Sequence, residues 1–332
     1  MRAAFLRPAL AAALSICLAA SAGAQSTGAA STQGRPGADK AAFAPKSVTI
    51  ASPVNASVRY ANASFAAGAV GLRNRIDGGI EVSGVTAPIK RALLYWAVIT
   101  QGPPTATVAN VYLKKGGANG VFTNIVGTPI ATGQTPCWYT GDRITVYRAN
   151  VPTTLANGNG LYIVVLRAGA SGSTAGQSPW VSAIPPLFEG ASLVIIGTGN
   201  ANVSVYDVGL AGRMFYDTLS YRLNTVSVAG ATEVVFSNIG ADGQIGEGVT
   251  AIASVASEIS WLNNRRIAGP ASPAQRSDWN GSAAEPLPQL WDTSTHVVTS
   301  QALAGSTPTV LPFAVSAPDD CLVTVANVLS VR

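Results

Sequence analysis

Ala92-Leu93-Leu94-Tyr95-Trp96-Ala97-Val98-Ile99 and Ser192-Leu193-Val194-Ile195-Ile196 are the two stretches whose reading decides the fold. Both are of strand length, and both are apolar at odd and even positions alike. A strand with one wet face would alternate, so these runs predict central β-strands covered on both sides.

Outward from them the chain is cut into short β-type runs by Gly, Pro, Asn and Asp. The runs are 47–50, 80–82, 91–99, 107–114, 121–126, 143–148, 161–166, 191–197, 202–208, 225–228, 232–238, 296–299 and 321–331. Alternation in 203–208 and 108–113 marks half-buried strands. Without a regular β-α succession, the pattern predicts an all-β fold: an antiparallel, jelly-roll-like β-sandwich, either one large unit or two packed ones, with at most one short helix. The helix candidate is 249–264, where Ile252, Val255, Ala256, Ile259 and Leu262 recur at spacings of three or four, although 258–262 also reads as a strand. Its polar face is not basic, which argues for packing rather than membrane contact.

Residues 1–24 read as an export signal: Arg2 and Arg7 in a short basic start, an apolar core over 9–20, and Ala22-Gly23-Ala24 as a cleavage site. The apolar run falls short of the roughly 20 residues that a membrane-spanning helix needs. Residues 25–45, rich in Ala, Gly, Ser and Thr, form a flexible leader. The β-sandwich unit is expected over 46–332, undivided or as two packed subdomains. Export sets the expected location as extracellular, cell-surface or periplasmic, with no transmembrane anchor after cleavage.

Only 11% of residues are charged and 48% are hydrophobic, a composition that buries a core. The net charge of +5 is dispersed in short pairs such as Lys90-Arg91, Lys114-Lys115 and Arg265-Arg266. Nucleic-acid binding would need a contiguous basic stripe or a reading motif, so no nucleic-acid partner is expected. Of three cysteines, Cys17 leaves with the signal, and Cys137 and Cys321 remain as an expected disulfide in an oxidising exterior. Its large loop corresponds to on the order of 5 kcal/mol in the chain-entropy model.

Chemistry-bearing patterns are sparse. The sole histidine, His296, follows Asp292 and Ser294 without a nucleophile elbow, and reads as structural. One His and two bridged Cys do not make a zinc site. The glycine-rich 240–248 lacks the phosphate-loop ending, and Asp242 with Glu247 does not complete a calcium loop. No metal, cofactor or catalytic residue is therefore assigned. Glycoside hydrolysis needs only two carboxylates, and Glu81, Glu189 and Glu233 sit beside apolar residues. Glycan binding needs less: an aromatic face with amides or carboxylates nearby. Trp96 reads as core, whereas Trp138, Trp180, Trp279 and Trp291 lie among small and polar residues. These four, with Asn280 in Trp279-Asn280-Gly281, are the candidate ligand-binding residues.

The order Lys90-Arg91-Ala92-Leu93-Leu94-Tyr95-Trp96, Asn157-Gly158-Asn159-Gly160-Leu161-Tyr162, 189–196 and 203–209 resembles a family of secreted β-rich bacterial and archaeal surface proteins of unassigned function. Leu290-Trp291-Asp292-Thr293 and Asp320-Cys321-Leu322-Val323 are similar to the same pattern. The resemblance implies a β-rich surface protein and transfers no catalytic residue. The chain closes on Arg332 without a sorting signal, so covalent anchoring is not expected.

The expected function is that of a secreted, noncatalytic surface protein, adhesin-like, carbohydrate-binding or structural. Its expected partners are a glycan, a surface protein or further copies of itself. The alternative is a secreted polysaccharide hydrolase using a carboxylate pair.

Overall fold

The computed structural model describes residues 47–73, 75–117, 120–134, 142–167, 185–208, 215–241, 258–269, 279, 281, 290–305 and 308–332. The expected signal, the leader, Trp138, Trp180, Asn280, Cys137 and 249–257 of the helix candidate lie outside them, as does the side chain of Cys321. All described elements belong to one compact unit, Pro36–Arg332.

The two apolar runs fall in β5 (Ile89–Gln101) and β11 (Leu187–Thr198), which pair with each other and are buried on both faces. Beside them run β3 (Val58–Gly71), β9 (Asp142–Asn150) and β8 (Thr128–Gln134), in the order β3-β11-β5-β9-β8. Strict alternation sorts their side chains. Leu94, Trp96, Val98, Leu193 and Ile195 face one core; Leu93, Tyr95, Ala97, Ile99, Val194 and Ile196 face another.

The first core is closed by a four-stranded sheet of β4 (Asp77–Val82), β10 (Gly160–Leu166), β6 (Asn110–Lys115) and β7 (Thr123–Val126), in that order. The second is closed by β12 (Ala201–Asp207), β14 (Val234–Ala241), β17 (Trp291–Val297) and the C-terminal half of β18 (Val310–Val331). Val203 and Val205 of β12 point into that core, while Tyr206 points away into a third.

The third core is covered by a final layer in which the N-terminal half of β18 lies between β13 (Phe215–Asn224) and β15 (Ile259–Leu262). β16 (Arg265–Ala268) extends it beyond β15, and β1 (Ser47–Thr49) and β2 (Val54–Asn55) pair in parallel with β13. The result is four β-layers around three cores. Layers two to four form one hydrogen-bonded sheet that folds back on itself, because β3 pairs with both β11 and β12 and β18 serves both of the last two layers.

An all-β, antiparallel sandwich with one short helix among the described residues, α1 (Thr299–Leu303), is what the sequence predicted. Two expectations are corrected. Residues 259–262 are strand, not helix: their inner faces, Ser260 and Leu262, are buried at period two. Residues 225–228 are not a strand; Thr225 and Val228 instead bond to the backbone at 308–309. The third core also contains polar side chains: the Tyr221 hydroxyl donates to Asn327 Oδ1 at 2.5 Å, and Asn327 Nδ2 donates to Asn238 Oδ1 at 3.0 Å. Burial holds the Tyr221 hydroxyl far above its ordinary titration range.

Candidate functional site

The outer face of the fourth layer is built by alternation. In β13, Leu219, Tyr221 and Leu223 point inward to the third core, leaving Ser220 and Arg222 outside. In β18, Leu311, Phe313 and Val315 point inward, leaving Pro312 and Ala314. In β15, Ser260 and Leu262 point inward, leaving Trp261 half-buried on the surface. The registers set these outward residues in one row: Thr49, Ser220, Ala314, Trp261 and Arg266 on five adjacent strands.

Small side chains in the middle of the row and a large one at its side make a trough. A groove of about 450 Å3 is lined here by Thr49, Ser220, Arg222, Trp261, Asn264 and Pro312, among others. That volume lies within the usual range of small-molecule sites. The hydroxyls of Thr49 and Ser220 lie 3.1 Å apart, and Arg222 Nη2 donates to the Ala51 carbonyl at 2.5 Å. That bond fixes the guanidinium at the groove while leaving four of its five donors for other partners.

Trp261 is held by the hairpin that carries it. Strands β15 and β16 turn through Asn263 and Asn264, both with positive φ (52° and 59°). A two-residue hairpin turn of type I′ needs that conformation at both positions, and Asn tolerates it better than most residues. Asn263 also donates its backbone N–H to Pro312 O at 2.6 Å and its side-chain amide to Gln301 O and Ala302 O. The turn is thereby tied to both β18 and α1, and Asn264 is left exposed at the rim.

The predicted tryptophans sit elsewhere. Trp279 and Trp291 are fully buried, which corrects the expectation that they present rings to a ligand. Trp291 donates to Ser192 Oγ at 2.8 Å and lies against Gly190, where a Cβ would come within 2.3 Å of the indole. Trp279 donates to Ser260 Oγ at 3.3 Å and covers Gly240, where a Cβ would meet the ring at 1.9 Å. Both glycines make room for an indole, since any side chain at either position would run into the ring. Trp279 supports β15 from beneath, on the side opposite Trp261.

Trp261 did not emerge as a candidate in the sequence. Its neighbours Ile259 and Leu262 fit a helical spacing, which hid the alternation of Ile259-Ser260-Trp261-Leu262.

The carboxylates considered for hydrolysis are separated. Glu189 is fully buried and paired with Arg73, Glu233 lies 3.3 Å from Arg332 on the surface, and Glu81 is exposed on β4. Among the described residues no Asp or Glu lines the groove. His296 is half-buried on β17 opposite Phe236. Among the described residues no group of three or more His, Cys, Asp or Glu is placed to hold a metal, and no helix is long and apolar enough to cross a membrane.

No protein-family model matches the chain, and no curated protein matches it. Among solved structures, it aligns with BuGH86E322Q in complex with neoagarooctaose at 10% identity and a TM-score of 0.24, covering 82% of this chain and 33% of that one. It also aligns with the ANX1 ectodomain from Arabidopsis thaliana at 8% identity and a TM-score of 0.24, covering 82% and 89%. The chain spans about a third of the length of BuGH86E322Q. At these scores neither likeness carries an argument about chemistry.

Proposed function

We propose that the chain is a noncatalytic, extracellular or cell-surface carbohydrate-binding protein that holds a glycan in the groove of the fourth layer. The observation that carries this reading is Trp261, an aromatic ring left on a sheet face of mostly small side chains, in one groove with a guanidinium, an amide and two hydroxyls. Sugar rings have an apolar C–H face and a polar rim. An indole serves the first, and fixed donors and acceptors serve the second.

The groove is presented on β-strands, so little ordering is needed when a ligand arrives. Among the described residues its lining has no carboxylate, which supports holding a glycan over cleaving one. The export signal read over 1–24 and the resemblance to secreted surface proteins support an extracellular setting.

Binding of the full chain to a glycan array, repeated with Trp261→Ala, tests the reading. Retention of the wild-type binding profile by the variant would sink it, as would the absence of any glycan bound by the wild type.

A further inference from the structure

Exposed apolar side chains are unevenly distributed. Eight large hydrophobic residues stand exposed among the described ones, and six of them, Ile76, Tyr112, Val121, Phe122, Val126 and Leu161, belong to the four-stranded first layer or its immediate flanks. Contiguous exposed apolar surface is uncommon on proteins that work alone.

The outer face of this layer has an ordered composition. Through its middle runs β10, turning Leu161, Ile163 and Val165 outward. On one side β4 contributes Asp77, Gly79 and Glu81; on the other β6 contributes Tyr112 and Lys114. The registers place Val165 between Asp77 and Tyr112, Ile163 between Gly79 and Lys114, and Leu161 beside Glu81. An apolar central strand is thus flanked by carboxylates on one side and by a cation on the other. Lys114 lies over the Phe122 ring at 4.7 Å, and neither it nor Glu81 forms an ion pair among the described residues.

We propose that this face is the interface of a two-fold homodimer in which the first layers of two copies pack together as a sandwich. A two-fold axis along β10 keeps every position at its own height along the strand and exchanges left for right. The β6 side of one copy then lies over the β4 side of the other. Lys114 comes over Gly79, which has no side chain, between Asp77 and Glu81 of the second copy, and the same contact recurs by symmetry. A face that two-fold symmetry makes complementary to itself in charge is what an isologous interface requires. This charge placement selects a second copy over an unrelated apolar partner. The stacking continues the principle of the fold, since the four layers already pack face to face around three cores within the chain.

Analytical ultracentrifugation of the full chain at micromolar concentration tests the proposal. The wild type sediments as a dimer, and Leu161→Glu as a monomer with unchanged circular dichroism, its melting temperature no longer dependent on protein concentration. Lys114→Glu, which sets like charges together, weakens association about tenfold or more, and combining it with Glu81→Lys restores association. A monomeric wild type overturns the proposal, whether its first layer proves open to hydrogen exchange or shielded by the chain's own residues 1–46. So does a Leu161→Glu variant that remains dimeric, or a charge swap that fails to recover what Lys114→Glu lost.

Discussion

The two outermost faces of the stack are each one side of a β-sheet whose other side fills a core, yet they expose opposite surfaces. On the fourth layer the outward positions hold Ser220, Arg222, Pro312 and Ala314, with Trp261 rising beside them. On the first layer they hold Leu161, Ile163, Val165 and Tyr112, a flat apolar band with charges at its margins. Small residues beside one large ring leave a concavity, and rows of branched residues leave a plane. A trough suits a ligand narrower than the sheet, whereas a plane suits another plane. Which outward residues alternation delivers therefore decides what kind of contact each face can make.

The largest expected effect comes from a residue that serves neither face. Trp291→Ala empties a buried site and should cost about 3–5 kcal/mol of unfolding free energy in a denaturant titration, weakening glycan binding and dimerisation together. Trp261→Ala should separate the two faces. Glycan affinity should fall by about 2 kcal/mol, roughly thirtyfold, in calorimetry, while unfolding moves by less than about 0.5 kcal/mol and the dimer is untouched. If Trp261→Ala unfolds the protein as Trp291→Ala does, the contrast between a presented ring and a packed one is broken.

Smaller changes sharpen the same contrast. Arg222→Gln removes the charged donor from the groove and should weaken glycan binding by about 1–1.5 kcal/mol, with no change in sedimentation. Asn264→Gly keeps the positive-φ turn and deletes the rim amide. It should cost about 0.5–1 kcal/mol of affinity and leave the melting temperature unchanged or raised.

What the sequence discloses differs between layers for a physical reason. The doubly covered strands β5 and β11 declare themselves, because only a two-sided core tolerates apolar residues at every position. The neighbouring β3 does not, although it is just as central. Ala63, Ala66, Ala67, Gly68 and Ala69 have little strand propensity, and at Gly68 neighbouring chain crosses closely: a Cβ there would lie 2.0 Å from the Glu81 carbonyl oxygen. β13 was legible and missed. Its Leu219, Tyr221 and Leu223 alternate cleanly with Ser220 and Arg222, but the polar half masks the strand when apolar density alone is weighed. The groove was hidden in turn, since its residues come from four segments that only strand register brings together.

β18 follows in the chain every strand that it joins. Its first half is the middle of the fourth layer and its second half is the middle of the third. As the chain is extended, the first two layers have all their strands before β18 is made, while the last two lack their common centre until its 22 residues arrive. The groove thus comes into being only once β18 is in place, and a chain interrupted before β18 carries Trp261 with no sheet to present it. The order of the strands acts as a timer, withholding the groove until its last-made strand joins the others.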